Sequence, residues 1–356
     1  MQPASKSLVT QARPIYVIGA GSIVRDAHLP AYRDAGFPIA GIFDIDTARA
    51  ETLARETGIV AFKTREELFA ACVEHAGVLD LALPPAAMAE TLRATPKGAV
   101  LLLQKPFGRT LAEATELLEI TRERQLRGAV NFQLRHAPCV EEVRALVDAG
   151  AIGEAIDVEL RVVCTMPWET WPFMVGMERM EVLMHSIHYL DLVRAFFGEP
   201  AGIWCSIARH PLAQHLADTR STTVMNFGEM RRAVVTTFHH HRAPQGHDAS
   251  HLKIEGTRGT IVAQLGVNLD YPRGRADHID LSQDGGAWKR ITPRGNWFPH
   301  AFAGSMHALQ RLATGVDATI ESSFEDAWRT MALVETCYRS ANLGERVPDP
   351  PTRTAP

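Results

Sequence analysis

The sequence predicts an N-terminal α/β domain built on a parallel sheet covered on both faces, followed by an α+β domain with a mostly antiparallel sheet. Three observations predict this division. From Pro14 to about Asn131, short apolar runs alternate with helix-periodic segments. A Gly-x-Gly turn follows the first run. Beyond Asn131 the alternation stops, and a long helical segment is followed by strand-like runs separated by turn residues. Strands alternating with helices close into a parallel sheet through right-handed crossovers. Residues 1–131 are therefore expected as one domain and 132–356 as a second.

Taken in order, 15–18 is an apolar strand and 22–35 a helix entered through the glycine turn. A second strand, 39–43, leads to a helix over 47–57 for which Asp46 is the expected N-cap. A short strand at 60–62 precedes a helix over 65–74. The pattern repeats with strands at 78–83 and 99–103, helices at 86–94 and 111–125, and a last short strand at 129–131. In the second domain a helix over 139–147 stops at Gly150, a strand follows over 156–163, and a long helix spans about 179–197. Strand-like runs fill 203–291, punctuated by Gly256, Gly259, Gly285 and Gly286. Helices near 302–313 and 324–341 close the chain.

Composition narrows the function. Hydrophobic residues are 46% and charged residues 22%, enough to build real cores. A formal net charge of −4 without a Lys/Arg cluster excludes a general nucleic-acid groove, which needs concentrated positive charge. The five cysteines (Cys72, Cys139, Cys164, Cys205, Cys337) never form C-x-x-C, which argues against a zinc ribbon or disulfide framework and suits a reducing cytosol. The N-terminus is polar, and the longest aliphatic run, 99–103, is too short to span a bilayer. A cytoplasmic protein without membrane or nucleic-acid partners is expected.

The first turn points to a dinucleotide. In Gly19-Ala20-Gly21-Ser22-Ile23-Val24, Gly19 permits the turn, and Gly21 clears the space where a pyrophosphate approaches amides at the helix start, Ser22 and Ile23. Val24 stands where a third glycine is usual, which demands looser helix–strand packing. Asp44 ends the second strand 25 residues after Gly19, near the offset of the acid that bonds the adenosine ribose. Its charge would repel a 2′-phosphate, so NAD is expected; Arg49 leaves NADP open. Pro84, Pro85, Gln104 and Lys105 also fall at strand C-termini, the edge where ligands of open α/β sheets bind. This is the Rossmann arrangement.

Gln104-Lys105-Pro106 after such a turn resembles the Glu-Lys-Pro of the Gfo/Idh/MocA sugar and cyclitol dehydrogenases. Asn131-Phe132-Gln133-Leu134-Arg135 and His188-Tyr189-Leu190-Asp191 are similar to two further segments of that family, so the likeness runs over nearly the whole chain. The resemblance implies an NAD(P) domain, to which Asn131 belongs as a cofactor contact. It also implies an open-sheeted substrate domain, a homodimer or homotetramer built through that sheet, and Lys105 with His188 as the catalytic pair. Two positions depart from the family pattern. Gln104 replaces the glutamate, and Met184 replaces an aspartate that many members carry four residues before the histidine.

On a 100°-per-residue wheel, Leu183, Ile187, Leu190, Val193 and Phe197 form a core face of the long helix. The opposite face centres on His188 and carries Glu181, Met184, His185 and Asp191 with Leu192 and Ala195, a mixture suited to lining a cleft. His185 lies one turn from Glu181 and from His188, where it takes over part of the missing aspartate's function. Neutral His188 is expected as the base for a substrate hydroxyl, and the Lys105 ammonium as its electrostatic partner. Trp168 and Trp171 either stack on the sugar or nicotinamide or pack the domain interface. Asn296-Trp297-Phe298-Pro299-His300 is expected on the far wall. His239-His240-His241, with His247 and His251, reads as a polar sheet face, a subunit contact or a substrate contact rather than a metal site, because alternate strand residues face opposite ways. An NAD-dependent dehydrogenase for a sugar, cyclitol or sugar acid is expected. The competing readings are an oxidoisomerase or glycosidase using NAD transiently and a non-catalytic dinucleotide-binding regulator.

Overall fold

Six strands of the N-terminal half pair in parallel: β1 (Ile15–Ile18), β2 (Ile39–Phe43), β3 (Val60–Ala61), β4 (Val78–Leu81), β5 (Val100–Leu103) and β6 (Arg127–Val130). Their order is β3-β2-β1-β4-β5-β6. The structure is a computed structural model and describes residues 11–168, 171–242, 246–271 and 273–342. β1, β4 and β5 are buried at every residue, which is why they read as continuous apolar runs rather than alternating ones. Asp80, inside β4, is the exception in kind.

The crossovers are α1 (Leu29–Asp34), α2 (Thr47–Thr57), α3 (Arg65–Glu74), α4 (Pro85–Ala94) and α5 (Leu111–Glu123). Asp46 caps α2 as expected, its side chain accepting the Arg49 amide. Thr64 and Glu67 form a reciprocal capping box on α3. Alternate strand residues separate the two faces: Tyr16 and Ile18 pack under α3, α4 and α5, whereas Ile15 and Val17 face α1 and α2.

The second half begins with α6 (Pro138–Asp148) and β7 (Ala155–Val163), then α7 (Ile187–Phe197). The strands β8 (Gly202–Ala208), β9 (Arg220–Asn226), β10 (Arg232–Phe238), β11 (Ala249–Gly256), β12 (Gly259–Gln264), β13 (His278–Gln283) and β14 (Lys289–Ile291) follow, and α8 (His300–Ala313) and α9 (Phe324–Ala341) close the described chain. The eight strands run β14-β13-β12-β11-β7-β10-β9-β8, antiparallel except where β7 meets β10. One face of this sheet is buried under helices; the other is half-buried, with Trp204 61% exposed, so the sheet is open. Among the described residues no helix is long and apolar enough to cross a membrane.

The boundary expected at 131/132 is not the packing boundary. Helix α8 buries Phe302, Met306 and Leu309 against the first sheet, in the core that holds Ile15, Val17 and Leu102, and Gln310 exchanges two hydrogen bonds with the Arg13 backbone (2.8 and 2.9 Å). The reason is coverage. Three crossover helices cover one face of the parallel sheet but only two the other, and α8 completes it.

Candidate active site

The glycine turn is specified by backbone geometry. Gly19 has φ +107°, and a Cβ there would stand 2.4 Å from the Ala82 carbonyl oxygen, so any side chain would push β1 from β4. At Gly21 a Cβ would meet nothing within 4 Å, leaving open space over the helix start. A helix cannot bond its first-turn amides internally, and Ser22 and Ile23 stand at this start. The turn widens into a π-helix over Val24–His28 where valine replaces the third glycine, and Val24 is fully buried. The looser packing expected there takes this form.

Asp44 lies at the end of β2 but turns inward. Its Oδ2 accepts the Ala20 amide (2.7 Å) and its Oδ1 the Asp46 amide (2.8 Å), tying the glycine turn to β2. Beside it runs a groove of ≈ 480 Å³ lined by Gly21, Ser22, Arg25, Asp46 and Arg49. Asp46 and Arg49 pair across its edge at 3.2 Å. Pro84 is exposed at the same strand edge, before Pro85 opens α4. Asn131, just past β6, is fully buried, and neither its side-chain oxygen nor its nitrogen has a hydrogen-bond partner. An amide buried in that state costs free energy unless a ligand completes it. Open space at Gly21, unbonded helix amides and the orphaned Asn131 amide fit a dinucleotide laid along this edge.

Gln104 and Lys105 end β5. The Gln104 side chain accepts the Lys105 amide (2.8 Å), while its nitrogen lies 3.2 Å from His28 Nε2. His28 in turn bonds Asp80 (2.7 Å), which also accepts from Tyr32 (2.8 Å). Sequence reasoning missed this buried chain from Asp80 to Lys105; the signal was an aspartate inside the otherwise apolar β4. Lys105 Nζ donates to the Met184 carbonyl (2.7 Å), and among the described residues no acidic side chain pairs with it. Although part of the residue keeps some exposure, burial of the ammonium pushes its pKa down to about 8.

The helix carrying His188 differs from the expected amphipathic one. It enters through a π-helix over Val182–Ser186 and continues as α7, so a uniform 100° wheel misplaces Glu181, Met184 and His185 relative to His188. Both faces are buried, not only the apolar one, because α7 lies between β10, α9 and the turn Gln133–His136. His188 is 6% exposed, with the Phe132 and Trp297 rings 6.4 and 6.2 Å away, and its Nδ1 has no partner. Burial first, and then the nearby Lys105 charge, hold its pKa well below the ordinary histidine value. His188 is therefore neutral. Trp297 stands beside it.

His185 turns to a different group. Its ring stands 4.3 Å from His239 and 5.2 Å from Tyr189, and Glu181 Oε1 lies 3.2 Å from His239 Nε2. The histidine run disperses: His239 is fully buried in this group, His240 stacks on His210 (4.6 Å), and His251 faces Glu159 (3.8 Å). His239 therefore does not lie on a polar sheet face. The sequence places Glu181 and His185 one turn apart; what it does not show is that His239 joins them. Trp168, 5% exposed, packs between His239 (5.2 Å) and Trp171 (6.0 Å), and half-buried Trp171 contacts Tyr271 (5.3 Å). Glu169 and Thr170 between them lie outside the described residues.

Residues 14–132 match a family described as "Oxidoreductase family, NAD-binding Rossmann fold", and residues 140–262 match the "GFO/IDH/MocA C-terminal domain". The chain is 24% identical over 341 residues to a D-apiose dehydrogenase of Paraburkholderia graminis, covering 93% of this chain and 88% of that protein. Its fold is similar to that of a levoglucosan dehydrogenase solved with NADH and levoglucosan (TM-score 0.75, 18% identity, 93% and 98% of the two chains). It is also similar to an aldose-aldose oxidoreductase from Caulobacter crescentus solved with glycerol (TM-score 0.79, 14% identity, 94% and 99%).

Proposed function

The chain belongs to the Gfo/Idh/MocA oxidoreductase family, and from that premise we propose that it oxidises a secondary or anomeric alcohol of a sugar, cyclitol or sugar acid, with Lys105 and His188 as its catalytic pair. The observation that carries this reading is an unneutralised lysine beside a neutral, unsatisfied histidine, at the strand edge where Asn131 also lacks partners. The names of the D-apiose, levoglucosan and aldose enzymes support the sugar class. A regulator would gain nothing from burying an unpaired cation, which costs stability.

NAD is the expected oxidant, bound by Gly19, Gly21, Ser22, Ile23, Pro84, Pro85, Gln104 and Asn131, with Asp44 beside its ribose. The dinucleotide supplies hydride acceptance; the chain supplies orientation and proton handling. Burial exchanges the two catalytic roles expected from reference pKa values. With its pKa near 8, the Lys105 amine is the stronger base and takes the hydroxyl proton, while neutral His188 hydrogen-bonds the same oxygen. Trp171 and Trp168 wall the substrate side, and His185 lies behind them.

The open face of the second sheet, with Trp204 exposed, supports a homodimer or homotetramer. The free cysteines support a cytoplasmic setting. The test is a panel of aldoses, polyols and sugar acids with NAD and NADP, following absorbance and analysing products. Oxidised product with stoichiometric reduced cofactor is expected. Isomerised or hydrolysed product without it would identify transient redox instead.

A further inference from the structure

Glu181, His185 and His239 form a cluster that the proton and hydride chemistry leaves unused. One donor atom from each lies within 4.8 Å of the other two. Glu181 Oε1 and His239 Nε2 are 3.2 Å apart, and both side chains are fully buried. Two ligands at zinc-like bond lengths and a tetrahedral angle stand about 3.3 Å apart, so this edge already has the spacing of a metal site. Glu181 Oε2 and His185 Nδ1 are buried without any hydrogen-bond partner. A cation would satisfy both.

We propose that Glu181, His185 and His239 hold a divalent transition-metal ion, best matched by zinc, with a coordination position left for water or a substrate oxygen. The donors decide the class of ion. Two imidazoles and a carboxylate suit zinc and its first-row neighbours, whereas magnesium and calcium prefer oxygen-only sets. Three protein ligands are the count of an open site rather than a closed structural one.

The surroundings hold the ligands in place. Ser186 donates to Glu181 Oε1 (2.6 Å), and Cys164 Sγ lies 3.7 Å from His239 Nδ1, which leaves Nε2 toward the ion. The π-helix sets Glu181 and His185 on a widened turn, and His239 follows β10 directly. His185 alone of the three keeps partial exposure, so the open position is reached from its side of the cluster.

The experiment reads metal binding, not turnover, so its outcome is separate from that of the dehydrogenase reading. The full chain is purified without a metal-affinity step, stripped with a chelator and titrated with zinc by calorimetry and with cobalt by visible spectroscopy. One equivalent per chain is expected, with the d–d bands of low-coordinate cobalt. Uptake should be lost in Glu181→Gln and His239→Gln and kept in His247→Gln, a solvent-exposed control. Folded wild-type protein that takes up no stoichiometric metal would overturn the site, leaving Glu181 and His239 as a buried pair. Equal uptake by all three variants would also overturn it. Should a variant fail to fold, the wild-type titration alone still decides.

Discussion

Arg135 holds both carboxylate oxygens of Asp191, Nε to Oδ2 and Nη2 to Oδ1, each at 2.6 Å. The pair is buried, and Thr330 of α9 adds a third bond to Asp191 (2.8 Å). It joins the turn after β6, which carries Asn131, to the helix that carries His188. The two segments of the family resemblance thus meet in one fork-to-carboxylate contact.

Removing Asp191 leaves the buried Arg135 guanidinium with only the more exposed Asp326 carboxylate as its near charge partner among the described residues. Asp191→Asn should therefore cost about 3–5 kcal/mol in urea-unfolding free energy. The surviving folded enzyme should show lower kcat, since His188 loses its register with Asn131. A loss below about 1 kcal/mol would mean that Asp326, 2.8 Å from the same guanidinium, carries the charge instead.

Most of the fold was legible because it rests on local signals. Apolar strands, the Asp46 cap and the glycine turn each declare themselves within a few residues. Lys105 and His188, the proposed catalytic pair, were singled out by strand-end position and family likeness. What was not legible depends on contacts distant in sequence. Nothing near residues 300–313 says that α8 returns to the first sheet, or that His239 leaves its neighbours for Glu181. Two π-helices defeated helical periodicity because an extra residue per turn leaves no compositional trace.

Cofactor choice tests Asp44. kcat/KM should favour NAD over NADP, and Asp44→Ser should shrink that ratio while lowering melting temperature, because the Ala20 and Asp46 amides lose their acceptor. Clear NADP preference in the unaltered chain would instead assign the groove edge at Arg49 to a 2′-phosphate.

The pH dependence follows from Lys105. Its folded pKa, about 8, lies below the 10.5 of a free lysine. Alcohol oxidation should rise as pH passes through about 8, because the amine is the proposed base, and carbonyl reduction should fall over the same range. The stability sign is separate. Between about 8 and 10.5 the unfolded chain binds the extra proton, so this group's penalty is full below 8 and is relieved as pH rises. Initial rates in both directions and urea melts across this range check both statements. Lys105→Ala should flatten each.

Lys105→Ala and His188→Ala should each cut turnover far more than they weaken dinucleotide binding. Proton-transfer groups contribute ~10²–10⁴-fold, so kcat losses in that range are expected. Lys105 also gives the sharper thermodynamic signature. Among the described residues its ammonium has only the Met184 carbonyl as a hydrogen-bond partner, so removing it relieves an uncompensated buried charge. Lys105→Ala should match or exceed the wild-type melting temperature while losing activity, the exchange expected where stability is sacrificed for chemistry. His188→Ala should instead lose stability, because it empties space between Phe132 and Trp297. Near-normal turnover in both folded variants would refute the pair. A large loss in His188→Ala alone would return the base role to the histidine.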